Sequence, residues 1–90
     1  MIEMLCVVSG KVQAVRYRDY VLGAATDLGV VGWVRNEPDG TVSVCAQGEP
    51  DTLKEMVEYL NEGSLLSEVE SVTVEWRSVK ETFHDFSMLH

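Results

Sequence analysis

The chain has 90 residues, enough for one compact domain and too few for a second core. Hydrophobic residues make up 46% and charged residues 24%, ordinary proportions for a folded domain, which excludes a disordered or low-complexity protein. The net charge is −8, from 7 Lys and Arg against 15 Asp and Glu, so nonspecific binding to a nucleic-acid phosphate backbone is excluded as well.

Met4, Cys6 and Val8 alternate with Leu5, Val7 and Ser9, the period of a strand with one well-buried face, ending at Ser9-Gly10. From Tyr17 the period changes. Tyr17, Val21, Ala24, Ala25 and Leu28 recur at helical intervals, and Gly29 suits a left-handed helix end. Val30 to Asn36 reads as a second strand, Glu37-Pro38-Asp39-Gly40 as a turn, and Thr41 to Gln47 as a third strand with Val42, Val44 and Ala46 on one face. A second helix opens at Gly48-Glu49-Pro50-Asp51, carries the stripe Leu53, Met56, Val57 and Leu60, and closes at Gly63. Ser64 to Ser67 is a loop and Val69 to Trp76 a fourth strand with Val72, Val74 and Trp76 on one side. Lys80 to His84 turns, and Asp85 to Leu89 forms a short last strand with Phe86 and Met88 inward. The order β-α-β-β-α-β plus a terminal strand predicts an α+β fold, the ferredoxin-like βαββαβ two-layer sandwich: an antiparallel sheet with two helices on one face, in a single domain over residues 1–90.

No stretch approaches the roughly 20 apolar residues of a membrane helix; the longest uncharged apolar run is Val30-Val31-Gly32-Trp33-Val34. The start of the chain shows no basic segment of a secretory signal, so the expected compartment is the cytoplasm, with no membrane partner. Cys6 and Cys45 make neither a disulfide framework nor a CxxC pair and read as reduced thiols in a sheet. With His84 and His90 as the only histidines, no metal-ligand cluster emerges, and no cofactor is expected. Trp33, Trp76, Tyr20 and Tyr59 read as packing residues, and Glu55, Glu58 and Glu62 as the solvated side of the second helix.

Charge points to one place to look for chemistry. Residues 1–36 hold four basic and three acidic residues, whereas residues 37–90 hold three basic and twelve acidic ones. Within the first third lies Gly10-Lys11-Val12-Gln13-Ala14-Val15-Arg16-Tyr17-Arg18, a short loop between strand and helix. Such a loop turns successive N–H groups into one concavity at a helix N-terminus, and the planar guanidinium of Arg18 can grip two phosphoryl oxygens. The alternative is a surface salt bridge from Arg18 to Asp19, Asp39 or another acid. Asn36 ends a strand expected to neighbour the first one, so its carboxamide can approach the loop, orient a water and meet developing negative charge. The alternative there is a local Asx hydrogen bond in the turn. Arg16 and Lys11 read as solvated side chains, and Arg35 as exposed on the other strand face.

These two segments resemble the signatures of the acylphosphatase family. The family's Gly-x-Val-Gln-Gly-Val-x-Phe/Tyr-Arg loop is matched by Gly10, Val12, Gln13, Val15, Tyr17 and Arg18. Its Gly-Trp/Tyr-Val/Ala-x-Asn segment, followed by Asp/Asn-Gly-x-Val, is matched by Gly32, Trp33, Val34, Asn36, Asp39, Gly40 and Val42. The resemblance implies hydrolysis of the carboxyl–phosphate bond of small acyl phosphates without metal or covalent intermediate. It implies that Arg18 binds phosphate, that Asn36 positions the attacking water, and that the substrate-binding loop is Gln13, Ala14, Val15, Arg16, Tyr17 and Arg18. A phosphate or sulfate ion is the expected occupant of that loop, and the expected state is a monomer. One residue departs from the pattern: the loop's central Gly is Ala14. If that position needs positive φ, a Cβ there costs on the order of 1 kcal/mol and crowds the bound oxygens; if φ is negative, Ala14 is tolerated. The alternatives kept open are a catalytically weak or silent anion-binding ferredoxin-like module, made so by Ala14, and an RNA-binding module of the same strand order. The second is opposed by the missing aromatic pairs and the charge. Attachment to a larger hydrogenase-maturation protein is not expected.

Overall fold

The computed structural model describes all 90 residues. Strand β1 (Ile2–Lys11) leads through a loop into helix α1 (Tyr17–Leu28), followed by β2 (Val31–Asn36), β3 (Val42–Gly48), α2 (Pro50–Glu62), β4 (Glu68–Arg77) and β5 (Phe86–Met88). The five strands form one sheet in the order β4-β1-β3-β2-β5. Met4, Cys6 and Val8 of β1 and Val42, Val44 and Ala46 of β3 face the two helices, which close over them with Val21, Ala24 and Ala25 of α1 and Leu53, Met56 and Leu60 of α2. These side chains are essentially free of solvent, and their burial is the main stabilising term.

Two expectations about the sheet are corrected. It is mixed rather than antiparallel, because β5 runs parallel to β2, pairing Gly32 with Phe86 and Val34 with Met88. Residues 78–85 carry the chain from one sheet edge to the other, tied down where Gln47 accepts from the Phe83 amide at 3.1 Å and Gly32 donates to Asp85 at 2.9 Å. The chain therefore returns along β2 in the same direction. Nor does β2 neighbour β1: β3 lies between them. Asn36 thus reaches the β1–α1 loop from one strand further out.

Element ends move by a residue or two for local reasons. Val30 donates to Ala25 and belongs to the cap of α1, so β2 begins at Val31. Thr41 is held in the turn, donating its amide and hydroxyl to Asp39 Oδ1, so β3 begins at Val42. Strand β5 is shorter than expected, although Asp85 and Leu89 on either side of it still bond to β2 through the Gly32 amide and the Val34 carbonyl. Strand β1 runs on to Lys11 through a bulge between Ser9 and Gly10. Gly10 sits there at φ +122°, where an added Cβ would lie 2.2 Å from the carbonyl oxygen of Glu68, so only glycine allows β1 and β4 to stay paired up to the loop.

The aromatic residues divide. Tyr20 packs against Tyr17 with ring centroids 5.9 Å apart, and Trp33 lies half-buried under the Arg35 guanidinium at 4.7 Å. Trp76 and Tyr59 were expected to pack but are exposed: Trp76 lies on the edge strand β4, and Tyr59 falls off the inward stripe of α2.

Candidate active site

The loop between β1 and α1 is pinned by alternate residues. Val12 and Tyr17 are buried and Val15 packs against the core, while Ala14 and Arg16 between them are exposed. The Tyr17 hydroxyl donates to the Leu60 carbonyl at 2.7 Å, fastening the start of α1 to the end of α2. Burial among apolar groups, with Tyr20 beside it, pushes that phenol well above its ordinary pKa, so it stays a neutral donor. Pinning alternate residues forces the backbone between them to bend. Ala14 takes φ +58° and Arg16 φ +63°, the only residues other than glycine at positive φ.

This backbone forms a cradle of free amides. The change in sign of φ from residue to residue turns successive amides toward one side. The N–H groups of Gln13, Ala14, Val15 and Arg16 donate to no other group of the protein. Arg16, the N-cap of α1, offers no capping side chain, so the first amides of the helix also lack a side-chain partner, at the end where the dipole favours negative charge. The question raised by Ala14 is thus settled: the position has positive φ, and alanine occupies it at a cost of about 1–2 kcal/mol.

Above the cradle lies a cleft of about 260 Å³ lined by Val12, Ala14, Arg16, Tyr17, Arg18, Asp19, Asn36 and Met88. Arg18 makes none of the salt bridges considered for it. One Nη1 proton goes to the Leu89 carbonyl at 2.7 Å, which leaves the rest of the fork free. Arg16 pairs with Asp19 instead, at 3.3 Å on the surface. Asn36 makes no Asx bond either; Asp39 does, through Thr41. The Asn36 Oδ1 atom is buried and has no hydrogen-bond partner. Such an atom costs free energy unless something in the cleft donates to it.

The β2–β3 turn that follows Asn36 is tightly held. Glu37 donates its amide to the Thr41 carbonyl at 2.8 Å, and its carboxylate accepts from Ser43 Oγ at 2.6 Å and Arg35 Nε at 2.9 Å. Those two donors, Ser43 first, hold the Glu37 carboxyl below its ordinary pKa, and the Thr41 hydroxyl does the same for Asp39.

Of the sequence-predicted site residues, Ala14, Arg16, Tyr17, Arg18 and Asn36 meet around one cleft, while the side chains of Gln13 and Val15 turn away to the β2–β3 turn and the core. Sequence reasoning missed Met88 in the cleft wall and Leu89 as the acceptor that holds Arg18. A main-chain carbonyl carries no residue signature, so nothing in the sequence marks it. The Arg16–Asp19 pair was legible, at helical i, i+3 spacing.

A loop of free amides, an arginine and an unpaired carboxamide around one cleft mark this as a small ferredoxin-like α+β domain with a polar cleft at the β1–α1 loop. Comparison with known proteins makes this specific. The Acylphosphatase family model matches residues 4–88. An acylphosphatase of Methanococcoides burtonii is 43% identical over 79 residues, covering 88% of this chain and 82% of its own. One from Acaryochloris marina is 42% identical over 89 residues, covering 99% and 95%. The crystal structure of acylphosphatase from Bacillus subtilis superposes with a TM-score of 0.97 at 33% identity over 100% of both chains. The chain belongs to the acylphosphatase family.

Proposed function

We propose that this chain hydrolyses the carboxyl–phosphate bond of small acyl phosphates to carboxylate and inorganic phosphate, with Arg18 and Asn36 as its catalytic residues and no metal or cofactor. Acyl phosphate hydrolysis is the activity of the family to which it belongs. The observation that carries the assignment of residues is the buried, unpaired Oδ1 of Asn36 in the same cleft as Arg18 and the free loop amides.

The backbone N–H groups from Gln13 to Tyr17 and the free edge of the Arg18 guanidinium hold the phosphoryl oxygens, the amides directionally and the arginine with full charge. A water entering the cleft donates a hydrogen bond to Asn36 Oδ1, which aims the water's lone pair at phosphorus. Attack forms the new P–O bond as the P–O bond to the acyl group breaks. The carboxylate leaves with the bonding electrons and needs little help from a general acid, and a phosphoryl oxygen takes the water's proton. Positioning and stabilisation of charge on the equatorial oxygens then supply the acceleration.

Every group in this scheme comes from one chain, which supports a monomeric, single-domain catalyst over residues 1–90 with a phosphate or sulfate ion as the simplest occupant of the loop. Cys6 and Cys45 are free and lie on opposite faces of the sheet, which fits the reducing cytoplasm. No helix is long and apolar enough to cross a membrane.

The test is phosphate release from benzoyl phosphate in the presence of EDTA. Wild type should turn over, Asn36→Ala should lose about 10²–10³-fold mainly in kcat, and Arg18→Ala should lose at least as much with a marked rise in KM. Wild-type rates in either variant would overturn the assignment of that residue, and abolition of activity by EDTA would overturn the metal-free scheme.

A further inference from the structure

The Gln13 side chain does not face the cleft. Its Nε2 donates to the carbonyl of Glu37 at 2.8 Å and to the carbonyl of Thr41 at 2.9 Å, spending both amide protons on main-chain acceptors 24 and 28 residues away. These two bonds are the only hydrogen bonds joining the loop of residues 12–16 to the turn of residues 37–41. Both acceptors belong to the turn that begins immediately after Asn36, and Thr41 is also the residue whose carbonyl closes that turn on the Glu37 amide. The Asn36 carboxamide oxygen has no partner of its own within the protein. Its position is therefore set by its backbone: on one side by pairing with Val42 in β3, on the other by the turn that Gln13 grips.

We propose that Gln13 is a positioning residue, a bolt that sets the distance between the anion loop and the turn and so holds Asn36 at a fixed place relative to the bound phosphoryl group. The inference rests on the reading of the cleft given above and deepens it. Asn36 stands on β2, separated from β1 by the whole of β3, so the backbone ladder alone links loop and carboxamide through two strand spacings. A direct tie of one side chain replaces that long path. The main-chain carbonyls it uses are available whatever side chains the turn carries, so the link depends on the glutamine alone. The loop end of the bolt is stiff as well, because the next residue, Ala14, is held at positive φ between the anchored Val12 and Val15. Phosphate affinity belongs to the loop amides and Arg18, and water placement to Asn36. Loosening the bolt should therefore reduce kcat more than it weakens anion binding.

The experiment compares wild type, Gln13→Met, Gln13→Glu, Asn36→Ala and the double variant Gln13→Met/Asn36→Ala in benzoyl phosphate hydrolysis, with inorganic phosphate as competitive inhibitor and circular dichroism to confirm folding. Methionine fills the space without donors, and an ionised glutamate faces two carbonyl oxygens. Both single variants should lose about tenfold in kcat, glutamate more than methionine, with the phosphate inhibition constant changed by less than about threefold. In the Asn36→Ala background Gln13→Met should cost little more, since the group it positions is gone. A wild-type kcat in Gln13→Met overturns the proposal. So does a tenfold loss that persists undiminished without Asn36, because a purely structural role would give that result. If Gln13→Met does not fold, Gln13→Asn serves in its place: it keeps an amide one methylene too short to span both carbonyls, and a wild-type kcat there refutes the role equally. Failure of the underlying reading has its own signature, an inactive wild type or an Arg18→Ala variant with undiminished activity.

Discussion

Ala14→Gly measures what the loop gains and loses by carrying a Cβ at its centre. The residue holds φ +58°, where an L side chain crowds the adjacent carbonyl, at a cost of about 1–2 kcal/mol relative to glycine. Glycine loses more backbone entropy on folding, which takes back about 0.5–1 kcal/mol. The difference leaves Ala14→Gly more stable by up to about 1 kcal/mol, and for a domain of this size that raises Tm by about 4–8 °C. Activity should move little. The backbone already has the sign of φ that the cradle requires, so the amides keep their direction when the methyl is removed, and benzoyl phosphate kcat/KM should stay within about threefold of wild type. Ala14→Val gives the opposite arm: a β-branched residue at positive φ is a true outlier, and the loop should abandon the conformation, with a lowered Tm and weakened inhibition by phosphate. Thermal melts and phosphate inhibition on the three proteins decide the matter. An inert wild type rescued by Ala14→Gly would show that the methyl blocks the cradle and that the native chain is a silent binding module. An Ala14→Val protein with unaltered Tm would show that the positive φ carries no strain, and the reasoning would fail at its first step.

Tyr17→Phe removes the donor to the buried Leu60 carbonyl and should cost about 1–3 kcal/mol in a denaturant titration, while KM for benzoyl phosphate stays near wild type because the phenol points away from the substrate. Glu3 is nearly buried on the open face of the sheet. Desolvation alone would raise its pKa, but hydrogen bonds from Gln47 and Arg77 and the arginine's charge outweigh it and leave the carboxyl below its ordinary value of 4.5. A lowered native pKa gives stability that is complete above about pH 4.5 and is lost as the pH falls through the native value, so wild type should destabilise on acidification and Glu3→Gln should show a shallower acid limb in Tm against pH. Burial pushes the Cys6 thiol up to about 12 and raises that of Cys45 as well, so native protein at pH 8 should react with an aromatic disulfide reagent only as fast as it unfolds, and both thiols should titrate in denaturant.

The fold was legible because its periods do not overlap. The alternation of Met4, Cys6 and Val8 and the helical spacing of Leu53, Met56 and Leu60 each fit one element type, and the structure buries those residues. What periodicity lacks is neighbour order: nothing in β2 says whether it pairs with β1 or β3, and the edge to which β5 returns is fixed by main-chain bonds, the Gly32 amide donating to Asp85 and the Leu89 amide to Val34. The site divides in the same way. Arg18 and Asn36 are legible because their side chains have chemistry. The Leu89 carbonyl and the grip of Gln13 on two carbonyls are not, because the partner in each case is backbone, which every residue possesses.

An acidic chain holding an anionic substrate looks contradictory only if charge is counted over the whole molecule. At physiological ionic strength potentials decay over about 8 Å, so exposed acids spread over the surface are screened by solvent far more than the groups inside the cleft. Within the cleft the balance is different. Of its two arginines, Arg16 is answered by Asp19, while Arg18 meets only a neutral carbonyl and keeps its charge for a ligand. The remaining attraction comes from amides that carry no formal charge and never enter the net count. Directional donors at contact distance also do what diffuse positive charge cannot: they fix the phosphoryl group's orientation about the line of attack. Binding strength in such a site depends on the shape of five residues of backbone rather than on the eight excess negative charges spread over the rest of the chain.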